Sequence, residues 1–296
     1  MMCVMPPAVL TALPREGTLA TLRPGGAVDG IYACTDKQRL ATQTGLPYLA
    51  VELRDRTAAV QAYVFRDADL HGGRFEAGDL VAVKGRIVRF REETQIELER
   101  IARASADEAD LASFLPTSRR DLDELDGFLE DLAREVTAPG YRRLLESLLG
   151  DEAFRREFRR AACGREGHHA YLGGLLEHTV GVATLAEELA WAHPRLDSDL
   201  LMTAAIVHDI GKTREFTYGA TIERSHEGRL LDHIQLGLRM LHDRAHHLDE
   251  QRLLALEHCV LLHHGPESRF QSVEALALHR LNALDTSVKG ALEHGL

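Results

Sequence analysis

Ile206-Val-His-Asp-Ile-Gly-Lys212 closes an apolar run with two adjacent metal-capable side chains, His208 and Asp209, and passes at once to Gly211 and Lys212. A His-Asp pair alone is common, but here further histidines and aspartates recur on apolar stripes on either side of it. His178 shares a stripe with Val182, Leu185 and Leu189, and His208 shares one with Leu200 and Ala204. His233 falls with Leu230, Gly237 and Leu241; His263 and His264 follow Val260 by three and four positions; Asp285 follows Leu278 and Leu281 by seven and four. At helical pitch this puts His178, His208, Asp209, His233, His263 and Asp285 on the inward sides of five helices, flanked by His264 and Lys212. A single inward histidine is usually an ordinary core residue. So many buried imidazoles and carboxylates need partners, so the set predicts a metal site. His193, His242, His246, His247, His258, His279 and His294 are assigned to surfaces or helix ends, while His71 and His226 stay unassigned.

Imidazole and carboxylate donors without cysteine suit Mn²⁺, Fe²⁺, Co²⁺, Ni²⁺ or Zn²⁺. Asp209 has two oxygens and is expected to bridge two ions. One would take His178, His208, Asp209 and Asp285; the other would take Asp209, His233, His263 and His264. Two ions roughly 3.5–4 Å apart lower the pKa of a shared water and clamp a phosphoryl group. Lys212 would add positive charge at a phosphate oxygen or leaving group. Phosphoester hydrolysis is the chemistry this predicts.

Outward from this stretch the chain divides by pattern. Residues 15–104 read as strands, with alternation in Tyr48–Leu53, Ala59–Phe65, Leu80–Phe90 and Gln95–Ile101 and turns at Arg54–Thr57 and Gly78-Asp79. Five or so short strands predict a small barrel. Residues 105–120, rich in Ala, Ser, Asp and Glu with Pro116, read as a linker, and 121–296 as helices. Leu122, Leu125, Phe128, Leu129 and Leu132 mark one buried stripe, Pro139-Gly140 breaks it, and two short helices follow over Tyr141–Leu149 and Glu152–Ala162. The fold class expected is therefore multi-domain, a β-barrel followed by an all-α bundle.

At 296 residues, 45% hydrophobic and 27% charged, the composition is that of a globular protein. The net charge of −11 is unevenly spread, about +1 over residues 1–104 and −12 over the rest, which argues against a wide duplex-wrapping surface. Cys3, Cys34, Cys163 and Cys259 form no Cys-x-x-Cys pair, as in reduced intracellular proteins. Residues 1–14 read as loose, with no signal peptide, and no run is long enough to span a membrane. A cytoplasmic location is expected, with homo-oligomers left open.

The barrel segment resembles the OB-fold of nucleic-acid-binding proteins in Gly45-Leu-Pro-Tyr-Leu-Ala-Val-Glu-Leu-Arg-Asp55 and Gly78-Asp-Leu-Val-Ala-Val-Lys-Gly-Arg-Ile87, departing at Ala58, where such turns carry glycine. Such barrels bind single strands with stacking aromatics and a basic groove. The candidates are Tyr48, Tyr63, Phe65 and Phe90 with Arg54, Arg66, Lys84, Arg86, Arg89 and Arg91; the competing reading makes the aromatics core and the cations a solvated face. Seven arginines between 142 and 165, including Arg159 and Arg160, either guide a polyanion or pair with Glu146, Asp151, Glu152 and Glu157.

His178, His208-Asp209 and Asp285 are similar to the ligand pattern of HD-domain metal-dependent phosphohydrolases, and His168-His-Ala-Tyr-Leu-Gly-Gly-Leu-Leu-Glu-His-Thr179 resembles the signature of the YhaM-type 3′→5′ exoribonucleases, which join an OB-fold to an HD domain. The likeness runs from Gly17 to about Lys289 through Gly228–Ile234 and Leu261–Gly265. It implies a manganese-favoured, sometimes cobalt-loaded enzyme that releases nucleoside monophosphates from single-stranded RNA, with single-stranded DNA as a further candidate substrate; iron, nickel, zinc and magnesium stay open as ions. It also implies that Lys212, Asp209, His168 and His169 are the catalytic group, with His168 or His169 near the substrate phosphate. Two other functions remain open: an HD hydrolase of small or cyclic nucleotides with a regulatory barrel, and a non-catalytic single-strand-binding protein.

Overall fold

The computed structural model describes residues 18–55, 57–91, 93–104, 111–165 and 167–295, apart from the side chain at 294. The expectations for residues 1–14, the first residues of the barrel segment, Cys3, and residues 105–110 of the linker lie outside those residues. The chain divides into two compact units, one of residues 1–115 with 218–221 and the other of 116–217 with 222–296.

The first unit is a five-stranded closed barrel. Strands β1 (Ala27–Ala41), β2 (Pro47–Arg54), β3 (Ala59–Val64), β4 (Leu80–Phe90) and β5 (Glu93–Arg103) run in the order β1-β2-β3-β5-β4 around it. A short helix α1 (Ala68–Gly72) follows β3. The long β1 pairs with β4 through its first half and with β2 through its second, changing partner near a bulge between Cys34 and Asp36. Alternate residues Leu49, Val51 and Leu53 of β2 join Val64, Val81, Val83, Ile96 and Ile101 in the core, the period-two burial of a half-wet sheet. The turn at Ala58 closes without glycine. Asp55 is buried and accepts hydrogen bonds from the backbone of Leu19, Thr57 and Ala58, which replaces the conformational freedom a glycine would supply. His71 is a barrel residue, its Nδ1 bonded to the Ile101 carbonyl.

The second unit is helical: α2 (Leu122–Glu135), α3 (Pro139–Leu149), α4 (Glu152–Arg160), α5 (Gly174–Ala192), α6 (Ser198–Val207), α7 (Lys212–Glu215), then short strands β6 (Phe216–Tyr218) and β7 (Ile222–Arg224), and α8 (His226–Leu230), α9 (His233–His242), α10 (Glu250–Leu262) and α11 (Val273–His294). Side-chain caps start seven of these helices: Asp121, Asp151, Asp197, Ser225, Asp232, Asp249 and Ser272 each accept from backbone N–H groups of the first turn. Pro139 opens α3 at its first position, where a missing N–H costs nothing, so the Pro-Gly pair begins a helix, α2 having already ended at Glu135. α5 and α6 form the centre of the bundle. Leu175, Leu176, Leu201, Ala204 and Ala205 on them are sequestered with Leu125, Leu129, Leu144 and Phe158 in one core. Among the described residues no helix is long and apolar enough to cross a membrane.

Candidate metal centre

α6 ends at Val207, so His208 caps the helix and Asp209 occupies the turn after it, both at most 1% exposed. α5 brings His178 to the same place, the first residue of α9 is His233, and His263 caps α10. A close backbone approach makes this possible at Gly211. A Cβ there would lie 1.9 Å from the His233 carbonyl oxygen and 2.5 Å from the Gly237 nitrogen, so only glycine lets the start of α9 rest on the His-Asp turn.

The four imidazoles are arranged alike. Nδ1 of each is tied down on its outer side: His208 to the Ala205 carbonyl at 2.9 Å, His263 to the Val260 carbonyl at 2.6 Å, His178 to Asp285 Oδ2 at 2.7 Å, and His233 near Glu215 Oε2 at 3.4 Å. Carbonyls and carboxylates only accept, so Nδ1 carries the proton and Nε2 offers a lone pair. All four Nε2 atoms turn toward Asp209. His178 and His208 lie 3.6 and 3.4 Å from its Oδ2, and His233 and His263 lie 3.4 and 3.5 Å from its Oδ1. One carboxylate thus divides two pairs of rings between its two oxygens. His264, on the next residue, places its Nε2 3.2 Å from that of His233.

This inner ring is under-satisfied. Asp209 Oδ1 and His263 Nε2 are buried without a hydrogen-bond partner among the described residues. The Nε2 atoms of His178 and His208 meet at 3.2 Å, an arrangement of two lone pairs that a shared cation reconciles. Burial lowers the His178 ring to about 4 and the His264 ring to about 3, and it depresses His263 as well, so these rings are neutral ligands at pH 7. Burial pushes the Asp209 carboxyl up, but Lys212 and His208 outweigh it and hold the group well below the ordinary carboxylate value. The donors fit a divalent cation, and Lys212 is the cation that already bonds Asp209.

Lys212 is buried and bonds Asp209 Oδ2 at 2.6 Å and Cys163 Sγ at 3.2 Å. Burial works against its charge, yet Asp209 beside it raises its pKa. Cys163 is itself a buried thiol pushed up to about 12. Neither Cys163 nor Glu215 stands out in the sequence. Each is one residue in an unpatterned stretch, and only their burial marks them.

Other expected site residues separate from this ring. His168 is half-buried and its pKa is lowered by burial and by Lys212. His169 is 2% exposed and engages both ring nitrogens, Nε2 with Asp285 at 3.2 Å and Nδ1 with the Tyr171 hydroxyl at 2.9 Å. Asp285 meets His178 at Nδ1, on the side away from Asp209. Gly173 and Gly174 are tightly packed: a Cβ on Gly173 would lie 2.6 Å from Leu122 Cδ2, and one on Gly174 would lie 2.2 Å from the His169 carbonyl oxygen. Arg159 pairs with Asp126 and Asp123, and Arg160 with Glu157, so both are engaged within the helical unit. His279, expected at the surface, is half-buried and braces the His263 carbonyl at 2.9 Å.

On the barrel, Tyr48, Tyr63 and Phe65 form a ladder of rings. Tyr63 and Phe65 lie 6.0 Å apart at 14° between planes, and Tyr48 is 5.6 Å from Phe65, which is 52% exposed. Lys84 and Arg86 sit exposed on β4; Lys84 pairs loosely with Asp29 at 3.8 Å, while Arg86 bonds Glu97 Oε2 at 2.9 Å.

The chain matches the HD domain family over residues 175–287 and the OB-fold nucleic acid binding domain family over residues 35–103. It joins an OB-fold to an HD domain. The HD match contains every residue of the inner ring, while His168 and His169 lie just ahead of it. The chain is also a homologue of curated proteins along nearly its whole length. The 3′-5′ exoribonuclease YhaM of Bacillus velezensis is 27% identical over 273 residues, covering 89% of this chain and 86% of that one. The Bacillus subtilis protein of the same name gives the same values, and that of Shouchella clausii is 27% identical over 279 residues, covering 90% and 85%. The His/Asp cluster of this HD domain has the donors to hold a divalent metal ion.

The depressed rings make the metal-free HD domain acid-sensitive. In the unfolded chain these histidines titrate near the ordinary value of about 6.5. In the folded chain His178 takes its proton only near 4, so between those pH values the unfolded state binds more protons and stability falls as pH falls. A melting temperature for metal-free protein lower by about 5 °C or more at pH 5 than at pH 7 is expected. A flat profile would show that the rings are not held neutral.

Proposed function

We propose that this protein is a metal-dependent 3′→5′ exonuclease that hydrolyses single-stranded RNA, and single-stranded DNA as a second substrate, to nucleoside monophosphates. The observation that carries the reading is Asp209, whose two oxygens each face a pair of neutral imidazoles in an HD domain of YhaM-like sequence. In this proposal His178, His208, Asp209 and Asp285 would hold one ion, and Asp209, His233, His263 and His264 would hold a second. Manganese is the preferred ion. When bound, the ions supply a water of lowered pKa and charge stabilisation at the phosphoryl oxygens.

The chain's own residues do the rest. The outer partners of the four Nδ1 atoms fix ring orientation and tautomer, so the site needs little reorganisation when loaded. Lys212 offsets the charge of Asp209 and brings a buried cation to the edge of the reacting phosphate. His168, only half-buried, is the one of the two signature histidines with surface to offer a substrate phosphate. The barrel, residues 15–104, holds the strand by stacking bases on Tyr48, Tyr63 and Phe65, with Lys84 and Arg86 toward phosphates. Residues 105–120 connect it to the hydrolytic domain, 121–296. The buried free thiols of Cys34, Cys163 and Cys259 agree with a cytoplasmic setting. The exposed Leu284, Val288 and Leu292 of α11 would serve homo-oligomers.

Turnover of an oligoribonucleotide against free and cyclic nucleotides tests the reading. Monophosphate release from the polymer should dominate. A Tyr48→Ala, Tyr63→Ala, Phe65→Ala variant should raise KM for it by about a hundred-fold or more with little change in kcat, at about 1–3 kcal/mol per stacked base. Preference for small nucleotides, with KM unmoved in the variant, would favour the regulatory-barrel alternative. A metal-replete protein inert on every phosphoester would favour a purely binding role.

A further inference from the structure

A thiol stands on the Oδ2 side of Asp209. Cys163 lies on the segment between α4 and α5, with its Sγ 3.8 Å from Asp209 Oδ2 and 3.2 Å from Lys212 Nζ. Three backbone bonds hold that segment against the start of α5. Leu175 N–H donates to the Ala161 carbonyl at 3.0 Å, Gly173 N–H to the Arg160 carbonyl at 3.2 Å, and Cys163 N–H to the His169 carbonyl at 3.0 Å. Cys163 is 5% exposed, so its sulfur meets the centre from the protein interior.

The imidazoles on this side lack partners of their own. His178 and His208 are fully buried, and each gives its Nδ1 proton to an outer acceptor. Their Nε2 atoms therefore face each other at 3.2 Å with no proton to share. The two nitrogens lie 3.6 and 3.4 Å from Asp209 Oδ2, and that oxygen lies 3.8 Å from Cys163 Sγ. Donors bound to one tetrahedral ion at about 2.0–2.3 Å stand roughly 3.3–3.8 Å apart, which is the spacing of this set. Cys163, His178 and Asp209 each offer a donor atom, all within 4.8 Å of one another. Cys34 and Cys259 are also buried free thiols, but they join no such group among the described residues.

We propose that Cys163 is a soft donor built into the centre, adding to His178, His208, Asp209 and Asp285, and that it lets the first-ion position take zinc and other thiophilic divalent cations. The inference rests on the metal-centre reading given above. Thiolates select softer ions, whereas manganese and magnesium suit oxygen donors. A hard ion would thus leave the thiol protonated, and a soft one would engage it. In that step the S–H bond breaks, an S–metal bond forms and the proton leaves to solvent, with no electron transferred. Lys212, already beside the sulfur, offsets the charge of the thiolate.

Co²⁺ loading of the chelator-stripped full chain tests this without an activity assay, because a thiolate ligand adds a near-ultraviolet sulfur-to-cobalt charge-transfer band. Wild type should show the band, and a variant that keeps Cys163 alone (Cys3→Ser, Cys34→Ala and Cys259→Ala) should retain it. Cys163→Ser should lose it. Its Cd²⁺ affinity should fall by about a hundred-fold, the upper end of what loss of a partner costs at a metal site, and its Mn²⁺ affinity by less than about ten-fold. The variant that keeps Cys163 alone decides the matter even if Cys163→Ser does not fold. Cobalt bound without the band in wild type or in that variant would overturn the proposal. So would a band that persists in Cys163→Ser, or equal losses of Cd²⁺ and Mn²⁺ affinity. Wild-type protein that takes up no cobalt would instead overturn the metal reading on which the proposal stands.

Discussion

Asp209→Ala is expected to lower hydrolysis of single-stranded RNA by about a thousand-fold or more, the scale on which loss of a principal charge stabiliser acts, while leaving single-strand binding by the barrel largely intact. Among the described residues its side chain alone faces both pairs of rings, and it is 1% exposed. Removing it takes the sole formal negative charge from the inner ring and leaves Lys212 buried with only the Cys163 thiol beside it. A cation, not a cluster of rings around Lys212, would then be the disfavoured occupant. Metal content should fall with activity. Asp209→Asn keeps the shape and should fail almost as badly, because a neutral amide lacks the negative charge that faces both pairs of rings. Full activity in either purified variant would remove Asp209 from the centre of the site.

Gly211→Ala is the second large effect, and it acts through backbone packing. A methyl group 1.9 Å from the His233 carbonyl oxygen cannot be accommodated unless α9 retreats from the His-Asp turn. The retreat would carry His233 away from Asp209 Oδ1 while leaving His178 and His208 in place. A destabilisation of about 3 kcal/mol or more is expected, in the range of strained or overpacked core changes. If two ions are held as proposed, metal content should drop toward half the wild-type value. Thermal melting and metal analysis of the same preparation read both effects, and wild-type values in both would show that the close approach does not position His233.

Much of this was legible in the order of residues, and the exceptions have physical causes. The alternation of β2 to β5 and the apolar stripes of α2, α5 and α6 carry their own periods, and the aspartate caps mark helix starts. β1 escapes that reading because its alternation breaks at the Cys34–Asp36 bulge and its interior carries Gly30. α7 and α8 span only 4 and 5 residues, too short for a helical period to register. For the centre, spacing brings His178, His208, His233 and His263 to one interior but cannot say which ring nitrogen faces inward. That depends on partners such as Glu215, the Ala205 carbonyl and the Val260 carbonyl, which carry no pattern. The same limit applies to Asp285. Its stripe directs it inward, and only the structure shows that it meets His178 from behind.

The two signature histidines divide in a related way. They are adjacent in sequence and similar in type, yet His169 is buried with both nitrogens engaged while His168 keeps surface. The barrel shows a comparable division: most of its apolar residues fill the core, whereas Tyr48, Tyr63 and Phe65 line up outside it.

The most direct measurement follows a 5′-labelled single-stranded oligoribonucleotide incubated with manganese-loaded protein, with the same protein after chelation as control. The account predicts a ladder shortened stepwise from the 3′ end with release of nucleoside monophosphates, abolished by the chelator and restored by Mn²⁺. An intact strand in the presence of metal, or the same ladder after the metal has been stripped, would contradict it.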